Sequence, residues 1–367
     1  MKERILFLAT HFISLYATRR ELIEELADRG YDIYISIPES DDNKFFENMG
    51  CKIIPTKIER RGTNPFKDAF VILKYRRIIR KLKPDIVLSY EIKPNIYAGI
   101  ALKGLKVPQI ANITGLGTAV ENGGFLKSFI MLLYKFSFKG TKKVFFQNQS
   151  NQKLFIENKI VKDNYELLPG SGVNLTAHPY EEYPPESDET VFVVIGRVMK
   201  NKGIDEILQA AQIIHNRYDN VTIKLAGFYD DENYRIKTEE AVKEGTIVYC
   251  GNQDDVHSFI KNSHATIHAS YHEGMANGLL ETAATGRPVI ATNIPGCIET
   301  FEPYVSGIPF EPKNPEDLVR AIEEFLALSY EEKVQMGKAG RERMEQRFDR
   351  NIVINKYLNE IKKIERG

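Results

Sequence analysis

The chain alternates between short continuous apolar runs and longer amphipathic stretches. Arg4-Ile-Leu-Phe-Leu-Ala-Thr10, Asp32-Ile-Tyr-Ile-Ser-Ile37 and Pro84-Asp-Ile-Val-Leu-Ser-Tyr90 are runs of the first kind. Each ends in polar residues, as strands buried on both faces of a parallel sheet do. An amphipathic helix from about Tyr16 to Arg29, stopped by Gly30, joins the first two. Strand, helix and strand in this order open a doubly wound sheet, whose ligands sit beyond the carboxyl ends of the strands. Runs at Ile110–Thr114 and Val144–Gln147 continue it. Leu167-Leu-Pro-Gly-Ser-Gly-Val-Asn174 and the acidic, proline-bearing stretch to Asp188 then read as a linker and hinge. The strand pattern restarts at Val191–Gly196, Val221–Gly227 and Ile247–Gly251. Two α/β domains are therefore expected, residues 1–170 and 171–349. An amphipathic helix from about Arg350 to Gly367 carries Ile352, Ile354, Tyr357, Leu358 and Ile361.

The stretch richest in chemistry runs from Tyr271 to Thr292. It predicts a loop holding Glu273 and Gly274, a short helix from about Asn277 to Thr285, and a strand from about Pro288 to Thr292. Asn277 can cap the helix, and Gly286 before Arg287 and Pro288 can stop it. Free amides at a helix start bind anions, which makes Gly274, Met275, Ala276 and Asn277 candidate ligand contacts. Glu273 and Glu281 flank that start. They can serve as an acid/base pair or accept hydrogen bonds from hydroxyls, and acidic residues near helix starts are also commonplace.

Composition narrows the class. A chain of 367 residues, 43 % hydrophobic and 27 % charged, is globular and long enough for two domains. Cys51, Cys250 and Cys297 lack disulfide or zinc-ribbon spacing, which fits a reducing cytoplasm. The apolar run at the N-terminus is too short for a signal peptide, and no stretch reaches a membrane span of ~20 residues. Formal charge is zero overall but divided. Residues 1–170 hold 28 Lys and Arg against 18 Asp and Glu, and residues 171–367 hold 22 against 32.

Further candidates lie at strand ends. Arg197 and Lys202 follow the strand ending at Gly196, a planar fork and a point charge suited to a diphosphate. No Gly-x-Gly-x-x-Gly follows the first strand, which argues against a dinucleotide site. In the first half, His11 and Ser14, the polar loop with Glu91, Lys93 and Asn95, and the glycine-bearing loop with Thr114 and Gly115 are candidate substrate contacts. Residues 57–83 interleave Arg60, Arg61, Arg76, Arg77, Arg80, Lys81 and Lys83 with Phe66, Phe70 and Tyr75. That pattern suits either a solvated basic helix face or attraction to an anionic membrane. Phe125–Phe138 reads equally as an interfacial helix or a core helix. His264, His268 and His272 recur every four residues, but the first two border a strand, which does not gather them on one face, so no metal site is expected.

Glu273-Gly-Met-Ala-Asn-Gly-Leu-Leu-Glu281, with Pro295-Gly296 and the Gly196-Arg197…Lys202-Gly203 element, resembles the signature of retaining glycosyltransferases of family 4. The loops Tyr90–Tyr97 and Asn112–Gly117 look like those of a subgroup acting on polyprenyl-diphosphate-linked sugars. The resemblance implies a GT-B fold of two Rossmann-like domains facing a cleft. The donor, a UDP-sugar such as UDP-N-acetylhexosamine, would lie in the second domain, and a lipid-linked saccharide acceptor against the first. Arg197 and Lys202 would neutralise the departing diphosphate, Glu281 would hold the ribose and Glu273 the sugar. Gly227, Asn252 and Gln253 would contact the base. No metal or other cofactor is implied, no nucleic acid is expected, and the terminal helix would pack back on the first domain. Family members often carry Gly-Gly after the first strand and a histidine near the second loop; this sequence has neither. A sugar-nucleotide epimerase and a non-enzymatic binding module are the alternatives.

Overall fold

The structure, a computed structural model, describes residues 2–59, 64–117 and 123–366. Arg60, Arg61 and Thr118 lie outside the described residues. Two compact units divide the chain, Met1–Ser171 with Val353–Gly367, and Gly172–Ile352.

The first unit is a seven-stranded parallel sheet in the order β3-β2-β1-β4-β5-β6-β7. Its strands are β1 (Arg4–Leu8), β2 (Asp32–Ile37), β3 (Lys52–Pro55), β4 (Ile86–Tyr90), β5 (Gln109–Ile113), β6 (Lys143–Phe146) and β7 (Tyr165–Leu167). The helices are α1 (Phe12–Asp28), α2 (Lys44–Asn48), α3 (Pro65–Leu82), α4 (Ile92–Ala101), α5 (Gly124–Ser137) and α6 (Gln149–Glu157). The continuous apolar runs are buried because helices cover both sheet faces: Leu6 and Leu8 meet α3 and α4, while Ile5 and Phe7 meet α1. The polar "loop" after β4 is a single residue, Glu91, after which α4 begins at once.

The second unit holds a six-stranded parallel sheet in the order β10-β9-β8-β11-β12-β13. Its strands are β8 (Thr190–Ile195), β9 (Val221–Ala226), β10 (Val248–Tyr249), β11 (Ala265–His268), β12 (Val289–Thr292) and β13 (Gly307–Phe310). Its helices are α7 (Ile204–His215), α8 (Glu232–Lys243), α9 (Val256–Lys261), α10 (Asn277–Ala284), α11 (Pro315–Ala327) and α12 (Tyr330–Arg343). The last helix, α13 (Arg350–Arg366), starts in this unit, and from Val353 onward it buries Val353, Tyr357, Leu358 and Ile361 in the core of the first.

The expected linker to Asp188 is not a free tether. Arg287, almost wholly buried, sends Nη1 to the carbonyl of Glu181 (2.8 Å) and Nη2 to those of Glu182 (2.7 Å) and Lys261 (2.8 Å). Tyr183 is buried and donates to the His264 carbonyl. A guanidinium fork satisfies several backbone acceptors at once, and so binds an irregular segment to the unit.

Candidate active site

In each sheet the strand order reverses once, and that switch point opens a crevice at the carboxyl ends. In the second unit it falls between β8 and β11. The loop after β8 carries Arg197 and, in a short 3₁₀ turn, Lys202; the loop after β11 carries Glu273. Parallel pairing of these neighbours puts both loops on one edge. There the Lys202 ammonium bonds Glu273 Oε1, and His268 Nε2 lies 3.1 Å from the same oxygen, the ring donating. Only 15 % of the Glu273 side chain is exposed. Burial alone would raise its carboxyl, but the Lys202 charge and the His268 imidazole outweigh burial and hold it far below the usual range. Arg197 Nη1 meets Asp230 Oδ2 at 3.1 Å. The two cations are thus each oriented by a carboxylate.

The Glu273 loop is clamped from outside. Gly296, at φ +81, lies so close that a Cβ there would sit 2.6 Å from the Glu273 carbonyl oxygen. Its own carbonyl accepts from Ala276 N–H (2.8 Å), so that amide is already used and is not open to an anion. Among the described residues, the amides of Met275, Asn277 and Gly278 find no acceptor, and they are the helix-start donors that remain. Asn277 is not the cap. Ala276 holds that position, Asn277 is the first helical residue, and its buried Oδ1 has no partner. One turn further on, Glu281 is pushed up to about 7 by burial, with Arg350 pulling it only partly back.

The third wall comes from β9, which pairs with β8. Gly227 packs against Gly196 so tightly that a Cβ would lie 1.7 Å from the Gly196 oxygen. The Tyr249 hydroxyl donates to the Gly227 carbonyl (2.6 Å) and the Gln253 amide to that of Cys250 (2.5 Å), while Asn252 is exposed.

In the first unit the switch point lies between β1 and β4. Glu91 adopts φ 70 and ψ 168, a region that glycine favours and that costs another residue about 1–3 kcal/mol. Thr10 holds it there, its N–H (2.7 Å) and hydroxyl (2.5 Å) both donating to Glu91 Oε2, with His11 Nδ1 3.5 Å from the other oxygen. His11 stands at the cap position of α1, and Ser14 turns its hydroxyl back to the His11 carbonyl. Lys93 pairs with Asp68 (3.1 Å). Asn95 is fully buried, accepting from Ser89 (2.7 Å) and donating to the Asn112 carbonyl (2.8 Å). Burial gives Asn95 a structural task in place of the expected ligand contact. Thr114 and Gly115 follow β5, the neighbour of β4, and are half-buried on the same edge.

Sequence reading missed Thr10 and Asp230, and it weighed His268 only for a metal, not as a partner of Glu273. Two stand at or just past strand ends, His268 closing β11 five residues before Glu273, and position at the carboxyl edge was the signal available for them. Asp230 carried none. Among the described residues no three His, Cys, Asp or Glu side chains group to hold a metal ion.

Two parallel α/β units, one with paired cations and a buried carboxylate at its switch point, define a GT-B glycosyltransferase architecture. Solved glycosyltransferases share it. A Rickettsia africae glycosyltransferase superposes with a TM-score of 0.82 at 22 % identity, covering 100 % of this chain and 99 % of its own. Anabaena HepE, solved with UDP-glucose, does so with 0.79 at 16 % identity over 98 % and 99 %. Residues 180–343 match the family described as glycosyl transferases group 1, and residues 4–148 match glycosyl transferase 4-like. The second unit thus carries a match to the group 1 glycosyltransferases and the first a match to the 4-like ones, and the chain is a glycosyltransferase. Among its relatives is the N,N'-diacetylbacillosaminyl-diphospho-undecaprenol alpha-1,3-N-acetylgalactosaminyltransferase of Campylobacter jejuni, 26 % identical over 97 % of both chains. Another is the UDP-Gal:alpha-D-GlcNAc-diphosphoundecaprenol alpha-1,3-galactosyltransferase of Escherichia coli, 24 % identical over 74 % of both.

Proposed function

We propose that this glycosyltransferase moves a sugar, an N-acetylhexosamine or a close relative, from a UDP-sugar to a saccharide carried on a polyprenyl diphosphate, with retention of anomeric configuration. Such a step belongs to the assembly of capsule, O-antigen or another glycan, at the inner face of the cell membrane. The names of the Campylobacter and Escherichia relatives support the acceptor class. The observation that carries the reading is the Lys202–Glu273–His268 cluster beside Arg197 at the switch point.

In this reading the first unit binds the acceptor and the second the nucleotide. The bond from the anomeric carbon to the diphosphate oxygen breaks, and Lys202 and Arg197 neutralise the charge that develops on the leaving group. The amides of Met275, Asn277 and Gly278 add dipoles aimed the same way. Glu273, held ionised, accepts from the sugar hydroxyls and fixes the anomeric carbon, and Glu281 binds the ribose hydroxyls. Gly227, Asn252 and Gln253 form the surface for the base. The acceptor hydroxyl attacks on the face the diphosphate leaves, and its proton passes to the departing phosphate oxygen, so no protein nucleophile is needed.

The test begins with a thermal-shift panel of UDP, GDP and ADP, since a ligand that binds only the native state raises its melting temperature. Turnover of the matching sugar nucleotide with a polyprenyl-diphosphate saccharide follows, in EDTA, with the product anomer read by NMR. Arg197→Ala and Lys202→Ala are each expected to lower kcat on the order of a hundredfold. Near-full turnover in either variant would remove the diphosphate assignment, and abolition by EDTA would remove the metal-free one.

A further inference from the structure

Helices α3 and α5 leave apolar stripes uncovered. On α3, Phe66, Phe70 and Leu73 point outward, Phe66 with 88 % of its surface exposed. On α5, Phe125, Phe129 and Leu132 do the same at the same spacing, with Phe125 87 % exposed. Both sets follow the i, i+4, i+7 rhythm of one helix face. The opposite faces supply the core through Val71, Tyr75 and Ile79, and through Met131 and Tyr134. The stripes are therefore additional to what folding needs, and α5 is at once a core helix and an exposed apolar one.

Topology joins them. The helix α4 packs between α3 and α5, all three on one face of the sheet. Because every strand is parallel, each of these helices begins at the carboxyl edge. The four phenylalanines occupy first and second turns, so they crown the edge that also holds Thr10, His11 and Glu91. Toward the other end the α3 face turns basic, while the α5 stripe runs on in the exposed Phe136. Arg77, Arg80 and Lys81 continue the α3 stripe, and Lys103 lies 5.0 Å over the Phe136 ring. Helix α3 carries six Lys and Arg against one acidic residue, and α5 carries two lysines and none.

We propose that this α3–α5 face seats the first unit on an anionic lipid bilayer. Aromatic tips enter the acyl boundary and the basic end of α3 meets headgroup phosphates, the two-part binding that interfacial helices use. The proposal rests on the acceptor reading above: a sugar on a membrane-held diphosphate stands just outside the headgroups, where the His11–Glu91 edge then lies.

The chain has no tryptophan, so Phe125→Trp and Phe66→Trp each install a single reporter. Both are expected to shift emission to the blue with phosphatidylglycerol–cardiolipin vesicles, and far less with phosphatidylcholine. In flotation of the full chain, the pairs Phe66→Ser/Phe70→Ser and Phe125→Ser/Phe129→Ser should each weaken vesicle binding at least about tenfold. Turnover on a short-chain, water-soluble acceptor should stay within about twofold. Unshifted emission, equal flotation of the variants, or a change only in oligomeric mass by ultracentrifugation would overturn the proposal, the last because a second copy would then cover the face. A chain that floats but transfers nothing to a polyprenyl-diphosphate saccharide leaves this face standing and removes the acceptor reading; transfer without flotation does the reverse.

Discussion

Glu281→Gln separates what the second unit needs for stability from what it needs for ligand. Burial lifts the Glu281 carboxyl from an ordinary 4.5 to about 7. Between those values the folded protein keeps a proton that the unfolded chain has released. The contribution to stability is full below the unfolded value and is lost as pH rises through about 7. At about 1.4 kcal/mol per pH unit the whole window is worth about 3 kcal/mol, as an upper bound. Glutamine keeps the shape and cannot ionise, so the variant lacks this slope. Urea or thermal unfolding of both proteins at about pH 5.5 and about pH 8.5 reads it, since other titrating groups cancel in the difference. The advantage of the variant should widen by about 2 kcal/mol between the two, roughly 4–8 °C for a unit of this size. UDP should act the other way, because an amide in place of the Glu281 carboxylate offers the ribose hydroxyls a weaker acceptor, and the shift produced by UDP should be smaller in the variant. Parallel pH curves would refute the buried-carboxyl argument, and an unchanged UDP affinity would remove the ribose role.

Two other perturbations probe the supports of the site. His268→Ala frees one side of the Glu273 carboxylate and should lower kcat on the order of tenfold with a smaller effect on KM, and His268→Gln should recover part of the loss by restoring a donor; equal loss in both would mean that the imidazole only fills space. Arg287→Met strands the carbonyls of Glu181, Glu182 and Lys261 and should cost about 3 kcal/mol in urea unfolding, with Arg287→Lys little better because one ammonium cannot span the fork; a cost below about 1 kcal/mol would show that water replaces it.

Much of the site was legible because it is local. Glu273 to Glu281 is one loop and helix start, and Gly196 to Lys202 is one turn after a strand. Their spacing along the chain nearly decides their spacing in the protein. Cap assignment failed at Asn277 for a reason sequence does not carry: Gly296, nineteen residues on, takes the Ala276 amide, and Ala276 stands extended at the cap position, so that Asn277 is already the first helical residue. Asn95 failed similarly. Its neighbours in sequence form a polar loop motif, but Ser89 and Asn112 of adjacent strands enclose it. The segment to Asp188 has the composition of a tether, yet Arg287, about a hundred residues on, binds its backbone.

By itself, then, the order of residues determined the parallel strands, through continuous apolar runs that only a doubly covered sheet can bury, and the chemistry available at each loop. Tertiary structure decided which of those side chains meet. Lys202 and Glu273 are 71 residues apart, and the strand order, with β11 beside β8, is what brings a cation and a carboxylate into contact. The same holds for the exposed phenylalanines. Hydrophobicity marks them in the chain, but only packing, by filling the core from the opposite faces of α3 and α5, leaves them outside.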